Sequence, residues 1–577
     1  MFKVLRYLKP YWLIIVLIFF LTFANAISQL LLPNLMSNIV DVGIVQGDVN
    51  YIFRSGFIML LIAIFGTTCT VIAAWNASKL SSRLATILRE KVFHKVESFS
   101  LQEFNQFGTA SLITRTTNDI TQIQQVVLMM LRMMLMAPMM MIGGIIMAIA
   151  QDARMALVLI VILPLVLLTI TIIGWLGLPL FKSIQKKLDQ VNLVFRENLT
   201  GVRVIRAFNR QKHEQKRFAA ANRDLTQTSI QANQIIALLM PMLSLILSLS
   251  TIAILWFGAQ RIDANTLAVG DLMAFIQYIN QILFAVTMLS MVFSMIPRAS
   301  ASANRILAII ETENSIVDAQ TTQQLPPLVQ GRTLRFEGVS FAYPKALDPV
   351  LSEISFEAKA GEVTAIIGGT GSGKSTLLNL MTRFYDPTQG QILLDGVDIR
   401  ELAQTELREA IGYVPQKAVL FSGTVSENIR YGKATASDAE VMQAAQTAQA
   451  QDFIEKMKGG FEAAIAQGGS NVSGGQKQRL AIARALVRQA GVYLFDDSFS
   501  ALDFKTDAKL RQALKQQEQQ ATMILVAQRI STIKDADQIL VLDQGKIVGR
   551  GKHHELLATC PVYQEIAGSQ LSQEELA

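Results

Sequence analysis

The sequence predicts two unlike halves: an α-helical membrane domain of six transmembrane helices with long cytoplasmic extensions, followed by an α/β P-loop domain. Three observations carry this. Of the 577 residues 51% are hydrophobic and only 17% are charged, a smaller charged share than soluble chains carry. The apolar residues crowd into the first half of the chain. A glycine-rich segment, set between an apolar strand and a helix, lies in the second half. The length alone exceeds one domain core.

A helix needs about 20 mostly apolar residues to cross a bilayer. Six stretches meet that test: 12–35, 55–78, 128–150, 155–181, 235–258 and 272–297. Pro33, Pro138, Pro164, Pro241 and Pro297 fall in them or at their ends, which membrane helices tolerate. Met1 to Tyr11 is basic and aromatic, and no signal cleavage site follows. Its alternation of Lys3, Arg6 and Lys9 with apolar residues reads as a short interfacial helix with snorkelling cations.

The connections alternate in length. Those after the second and fourth spans are long and carry Arg83, Arg89, Lys91, Lys95, Arg115, Lys182, Lys186, Lys187, Arg196, Arg203, Arg206, Arg210 and Lys212. The short segment 36–50 holds Asp41 and Asp48 and no Lys or Arg. The positive-inside rule therefore places the N-terminus, both long segments and the second half in the cytoplasm, in a multi-pass protein of the cell (plasma) membrane. The net charge of +7 is accounted for by these loops, so no nucleic-acid partner is expected. Segments 79–99 and 183–230 are rich in helix formers and free of proline. Each long connection reads as two helical extensions reaching ~35 Å beyond the bilayer, with turns at 104–117 and 201–209.

Within the spans, Arg132, Gln277, Asn280 and Gln281 are candidates to face a cavity. Arg132 at the interface, and amides that join helices, are the competing readings. Methionines gather in the third span, among them Met133, Met136 and Met140. Such adaptable side chains suit a cavity for varied apolar ligands, or plain packing and lipid contact. Cys69 and Cys560 are too far apart in sequence to suggest a disulfide framework or a metal site.

A polar linker, 311–332, ends in a strand-rich region. There Val363-Thr364-Ala365-Ile366-Ile367 precedes Gly368-Gly369-Thr370-Gly371-Ser372-Gly373-Lys374-Ser375-Thr376, and a helix follows. Strand, P-loop and helix are the context that ATP binding requires: backbone N–H groups wrap the phosphates, Lys374 neutralises them and Ser375 ligates Mg²⁺. Val492-Tyr493-Leu494-Phe495 is a buried strand ending in Asp496, placed to hold Mg²⁺ through water. Between these motifs stands Val472-Ser473-Gly474-Gly475-Gln476, ahead of a basic helix.

In that order the motifs resemble those of ABC exporter half-transporters, over nearly the whole chain. The resemblance implies domains at 1–310 (membrane), 311–332 (linker) and 333–577 (ATP-binding cassette). It implies that a second half-transporter pairs with this one, with ATP and Mg²⁺ sandwiched between the P-loop of one cassette and the signature of the other. It assigns Tyr343 to adenine stacking and Gln416 to the Q-loop, touching Mg²⁺ with Ser375 and Asp496. Asp503 falls in the D-loop, and Ser473, Gly474, Gly475 and Gln476 form the signature.

Two positions depart from the family. Asp497 stands where glutamate usually polarises the attacking water, and Gln528 stands where histidine usually contacts the γ-phosphate. Aspartate has about 1.5 Å less reach, and a general base must sit within about 3 Å of its target or one water away. Glutamine donates a hydrogen bond but carries no proton or charge. The pair is similar to the impaired half of heterodimeric bacterial multidrug exporters of the EfrCD and LmrCD type. The expectation is ATP-driven export of small amphipathic or hydrophobic compounds across the lipid bilayer, with hydrolysis competent mainly together with the partner. The alternatives are a homodimeric lipid or peptide exporter and a nucleotide-gated regulatory membrane protein.

Overall fold

The structure, a computed structural model, describes residues 1–328, 331–344, 346–518 and 521–570. It divides into two compact units. One joins Met1–Glu97 to Ala110–Thr312, and the other joins Ser98–Thr109 to the chain from Glu313 onward.

Six long helices build the first unit: α1 (Lys3–Ile44), α2 (Val49–Glu97), α3 (Thr109–Gln151), α4 (Leu157–Thr200), α5 (Gln211–Asp263) and α6 (Val269–Ile310). Five of the expected spans each fall inside one of them, and the fourth, 155–181, begins two residues before α4. At 49 residues, α2 is about 74 Å long, far more than a bilayer needs. Its extension has a reason in the sequence. Ala73, Ala77, Leu80, Leu84, Leu88 and Val92 recur at helical spacing and are all buried, so one stripe packs while the rest faces outward. Trp75, Trp175 and Trp256 stand exposed on the outer surface, as expected where the solvent is lipid.

Helix contacts in this unit use small residues and backbone acceptors. Gly144 on α3 lies so close to Ile282 that a Cβ there would come within 2.7 Å of its side chain. Tyr278 on α6, fully buried, donates to the Leu30 carbonyl at 3.0 Å. Gln281 donates to the Gln29 carbonyl at 3.3 Å, so this amide ties α6 to α1. Gln277 is exposed and Asn280 half-buried. Toward the other end of α3, the buried carboxylate of Asp119 receives Arg305 Nε at 2.7 Å and Ser302 Oγ at 3.0 Å. Arg115 adds a hydrogen bond to the Arg305 carbonyl at 3.0 Å. A paired buried charge of this kind tolerates no loss of one partner.

Two sheets organise the second unit. A mixed six-stranded sheet runs β12 (Lys546–Gly551), β11 (Gln538–Asp543), β3 (Val363–Gly368), β10 (Thr522–Val526), β9 (Val492–Asp496), β6 (Ile411–Val414), parallel except for β12. Its central strands are apolar and covered on both faces. An antiparallel sheet, β2 (Leu351–Ala358), β1 (Leu334–Phe341), β4 (Gln389–Leu394), β5 (Val397–Asp398), packs beside it. The linker is laced onto this unit. Arg383, 3% exposed, donates to the carbonyls of Val317 and Leu402, and Glu406 accepts from the Leu325 N–H at 2.8 Å.

The first long connection turns at a short helix, Leu101–Phe107, overlapping the near end of the expected 104–117. Ser100 and Glu103 form a capping box at its start, and Gly108 ends it at φ 73°. Asn105 donates to the Tyr385 hydroxyl at 3.2 Å, and the Ser315 N–H donates to Glu103 at 3.2 Å. Burial opposes the charge on Glu103, but the hydrogen bonds from Ser100 and Ser315 outweigh it and hold the carboxyl below its ordinary range. The second connection turns at Val202–Ala207. Ser100→Ala removes the cap, which typically stabilises a helix by about 1 kcal/mol. Hydrogen exchange should quicken about fivefold across Leu101–Phe107, while β3, β9 and β10 stay protected.

Candidate functional site

The P-loop leaves β3 and closes on helix α7 (Lys374–Met381). Gly373 caps that helix at φ 103°, and a Cβ there would sit 2.6 Å from Leu351. Both facts demand glycine. The Lys374 ammonium folds back over the loop, donating to the carbonyls of Gly368 at 2.8 Å and Gly369 at 2.6 Å. Ser372 Oγ is 3.4 Å away. Burial lowers the Lys374 pKa, while the charges of Asp497 and Asp496 act to raise it. The ammonium is thus partly desolvated and held by weak neutral acceptors, ready to exchange them for phosphate oxygens.

A cavity of about 330 Å³ opens over this loop. Thr370, Gly371, Gly373, Lys374, Ser375 and Thr376 line one side, and Gln416, Asp496, Asp497 and Gln528 line the other. Ser375 Oγ lies 3.5 Å from Asp496 Oδ1. Burial first, then the neighbouring charge of Asp497, pushes the Asp496 carboxyl above its ordinary range. Serine hydroxyl, carboxylate and the nearby Gln416 amide are hard oxygen donors of the kind Mg²⁺ takes. Among the described residues no group of three or more His, Cys, Asp or Glu side chains could cage a metal unaided. The donor set therefore fits an ion delivered with phosphates.

Asp497 follows β9 in the left-handed region, at φ 45°. Its N–H donates to the Val526 carbonyl at 2.9 Å, and its carbonyl accepts Ser500 Oγ at 2.8 Å. Its side chain is engaged as well. Oδ2 accepts Gln528 Nε2 at 3.0 Å and Gln416 Nε2 at 3.4 Å. The two departures from the family thus contact one another.

Other expected site residues lie off the cavity wall. Tyr343 is half-buried, meets Tyr385 edge-on at 5.3 Å, and shares a 3.0 Å hydrogen bond with Thr376 Oγ1. Ser473 caps helix α8 (Gly474–Leu486) in a capping box with Gln476. Gly475 lies close to the Ala501 carbonyl, and Ser473 and Gly474 are exposed. Asp503 is exposed and caps helix α9 (Phe504–Glu518), accepting from the Thr506 N–H at 2.9 Å and Oγ1 at 2.8 Å. None of the four signature residues lines the P-loop cavity of its own chain.

Several neighbours escape sequence reasoning. Val350 and Val526 line the cavity. Gln570 follows helix α10 (Pro561–Gly568) and brackets the switch segment: its Oε1 accepts from the Ile530 N–H at 2.9 Å, and its Nε2 donates to the Gln528 carbonyl at 2.8 Å. No local pattern announces a contact across 42 residues.

A strand–P-loop–helix unit with an apolar strand ending in aspartate, a capped Ser-Gly-Gly helix and six apolar helices defines an ATP-driven membrane transporter subunit. The ABC transporter transmembrane region family matches residues 15–286, and the ABC transporter family matches residues 351–500. The chain belongs to the ABC transporter family and is an exporter half-transporter, whose cassette binds ATP and which works by ATP hydrolysis.

It is 42% identical, over 98% of its length and 97% of the relative's, to an uncharacterized ABC transporter ATP-binding protein of Mycobacterium tuberculosis. It is 39% identical to YfiB of Bacillus subtilis, over 99% of both chains. It is 31% identical to an ATP-dependent lipid A-core flippase of Chromobacterium violaceum, over 99% of this chain and 97% of that one. A solved bacterial Atm1-family ABC exporter with ATP bound superimposes with a TM-score of 0.80 at 28% identity, covering 98% of this chain and 99% of the other.

Gln570→Ala removes two hydrogen bonds to the switch segment, each contributing about 1 kcal/mol. The Ile530 amide should then exchange about thirtyfold faster, as read by hydrogen exchange. Lys374→Ala should abolish ATP binding in equilibrium titration.

Proposed function

We propose that this chain is the weakly hydrolysing half of a heterodimeric exporter of amphipathic compounds. The observation that carries it is the shared oxygen of Asp497. A general base needs a free lone pair aimed at the attacking water. Here one carboxylate oxygen is already held by the amides of Gln528 and Gln416, and the side chain is a methylene short of the family's glutamate.

The proposed domains are 1–310, 311–332 and 333–577, with the N-terminus and cassette in the cytoplasm of a plasma-membrane protein. Tyr343 stacks on adenine after exchanging its contact with Thr376. Backbone N–H groups of the P-loop and Lys374 bind the β- and γ-phosphates. Ser375, Asp496 and Gln416 would hold Mg²⁺, which neutralises phosphate charge when bound. Gln528 offers the γ-phosphate an N–H in competition with Asp497. Ser473, Gly474, Gly475 and Gln476 complete the partner's site, and Asp503 lies at the interface.

ATP binds the closed pair of cassettes preferentially and so draws the equilibrium toward closure. Long cytoplasmic helices carry that closure to the membrane domain, and hydrolysis at the partner's site resets it. The relatives named as lipid A-core flippases support a substrate with both polar and apolar parts.

The double substitution Asp497→Glu and Gln528→His should raise turnover at this chain's site about 10²-fold, the lower bound for restoring a general base. Site-resolved ATPase measurement of the reconstituted pair checks this. No gain would place the impairment elsewhere. Activity of the chain alone as a homodimer would remove the division of labour.

A further inference from the structure

Arg132 stands in the apolar stretch of α3, on a π-helical turn, Met130–Met134. Such turns widen a helix by one residue and recur at functional sites. The side chain is exposed, and among the described residues it has no hydrogen-bond or ion-pair partner. An unpaired cation at the edge of a membrane segment attracts anionic groups.

It borders a cavity of about 100 Å³ together with Thr22 and Asn25 of α1, Thr70 of α2, and Met133, Met136 and Met288. No acidic residue lines that cavity. Asn25 is 4% exposed, and its Oδ1 accepts from Gln29 at 3.5 Å. Its amide nitrogen has no acceptor among the described residues. Thr70 directs its hydroxyl to the Gly66 carbonyl. The cavity thus combines positive charge and N–H donors with adaptable methionine walls.

Size and depth narrow the ligand. The volume holds about three waters' worth of matter, enough for a carboxylate or phosphate but not for a whole amphiphile. Arg132 lies about 28 Å along α3 from Gln151, close to the ~30 Å thickness of a hydrocarbon core. That places it at the opposite border of the apolar layer, the cytoplasmic one in the orientation proposed above.

We propose that this cavity is a headgroup subsite in which Arg132 and the Asn25 amide receive the carboxylate or phosphate of an anionic amphiphile, its chain lying along Met133, Met136 and Met288. The inference rests on the export reading and names the substrate class for it.

The test uses the full chain in phosphatidylcholine nanodiscs and three probes with one alkyl tail: dodecyl phosphate, dodecyl maltoside and dodecyltrimethylammonium. Dodecyl phosphate should bind about tenfold tighter than the maltoside, the factor expected from one charge-assisted hydrogen bond. Arg132→Gln should erase that difference and leave maltoside binding in place, and Arg132→Lys should keep most of it. Equal weakening of all three probes by Arg132→Gln, or an intact anionic preference, would overturn the subsite.

Adding phosphatidylglycerol separates the sources of the anion. Displacement of dodecyl phosphate from the wild type assigns the subsite to bilayer lipids, and no displacement assigns it to transported solutes. Vesicle transport with the partner present reads the export claim separately. Arginine-dependent anion binding without ATP-driven movement overturns export alone. Movement of anionic and neutral probes at rates indifferent to Arg132 overturns the subsite alone.

Discussion

Asp497 Oδ2 accepts hydrogen bonds from Gln528 and Gln416 at once, and the reading of the cassette depends on that contact. Each partner has its own anchor. Gln528 is held through its carbonyl by Gln570, and Asp497 through its backbone by Val526 and Ser500. The P-loop opposite is equipped to bind, with a desolvated Lys374 and glycines where the backbone requires them. Binding groups are complete while the base is short and engaged. In the function proposed, that combination retains ATP rather than cleaving it.

The membrane unit works under a different constraint. Lipid offers no hydrogen bonds, so polar groups within it must find partners inside the protein. Tyr278 meets this by donating to the Leu30 carbonyl on α1, and Asp119 by gathering Arg305 and Ser302. Gln281 meets it in part, its N–H donating to the Gln29 carbonyl while its buried Oε1 has no partner among the described residues. Arg132 adds a charge that no acidic residue in its own cavity answers.

Much of this was legible in the sequence because the signals are local. Six apolar stretches of bilayer length mark six helices. The stripe from Ala73 to Val92, in steps of three and four, accounts for one helix running far beyond the length a bilayer needs. Strand, glycine-rich loop and helix mark the P-loop in contiguous residues. The substitutions at Asp497 and Gln528 were visible as letters, but their mutual hydrogen bond was not, since β9 and β10 adjoin only through the sheet register. The bracket of Gln570, the Asp119–Arg305 pair and the Asn105–Tyr385 contact span from tens to hundreds of residues. Tertiary packing alone makes them. Gln476 and Asp503, which the resemblance assigns to the signature and the D-loop, cap helices in this structure, contacts that short-range capping patterns also announce.

The central claim is that this chain's site holds ATP without cleaving it at a useful rate. The direct measurement is a single turnover of the assembled pair loaded with ATP at both sites, followed by site-resolved identification of the bound nucleotide. The account predicts that ADP forms at the partner's site while ATP remains intact beside Lys374 and Asp497. ADP appearing at both sites at the same rate would contradict it.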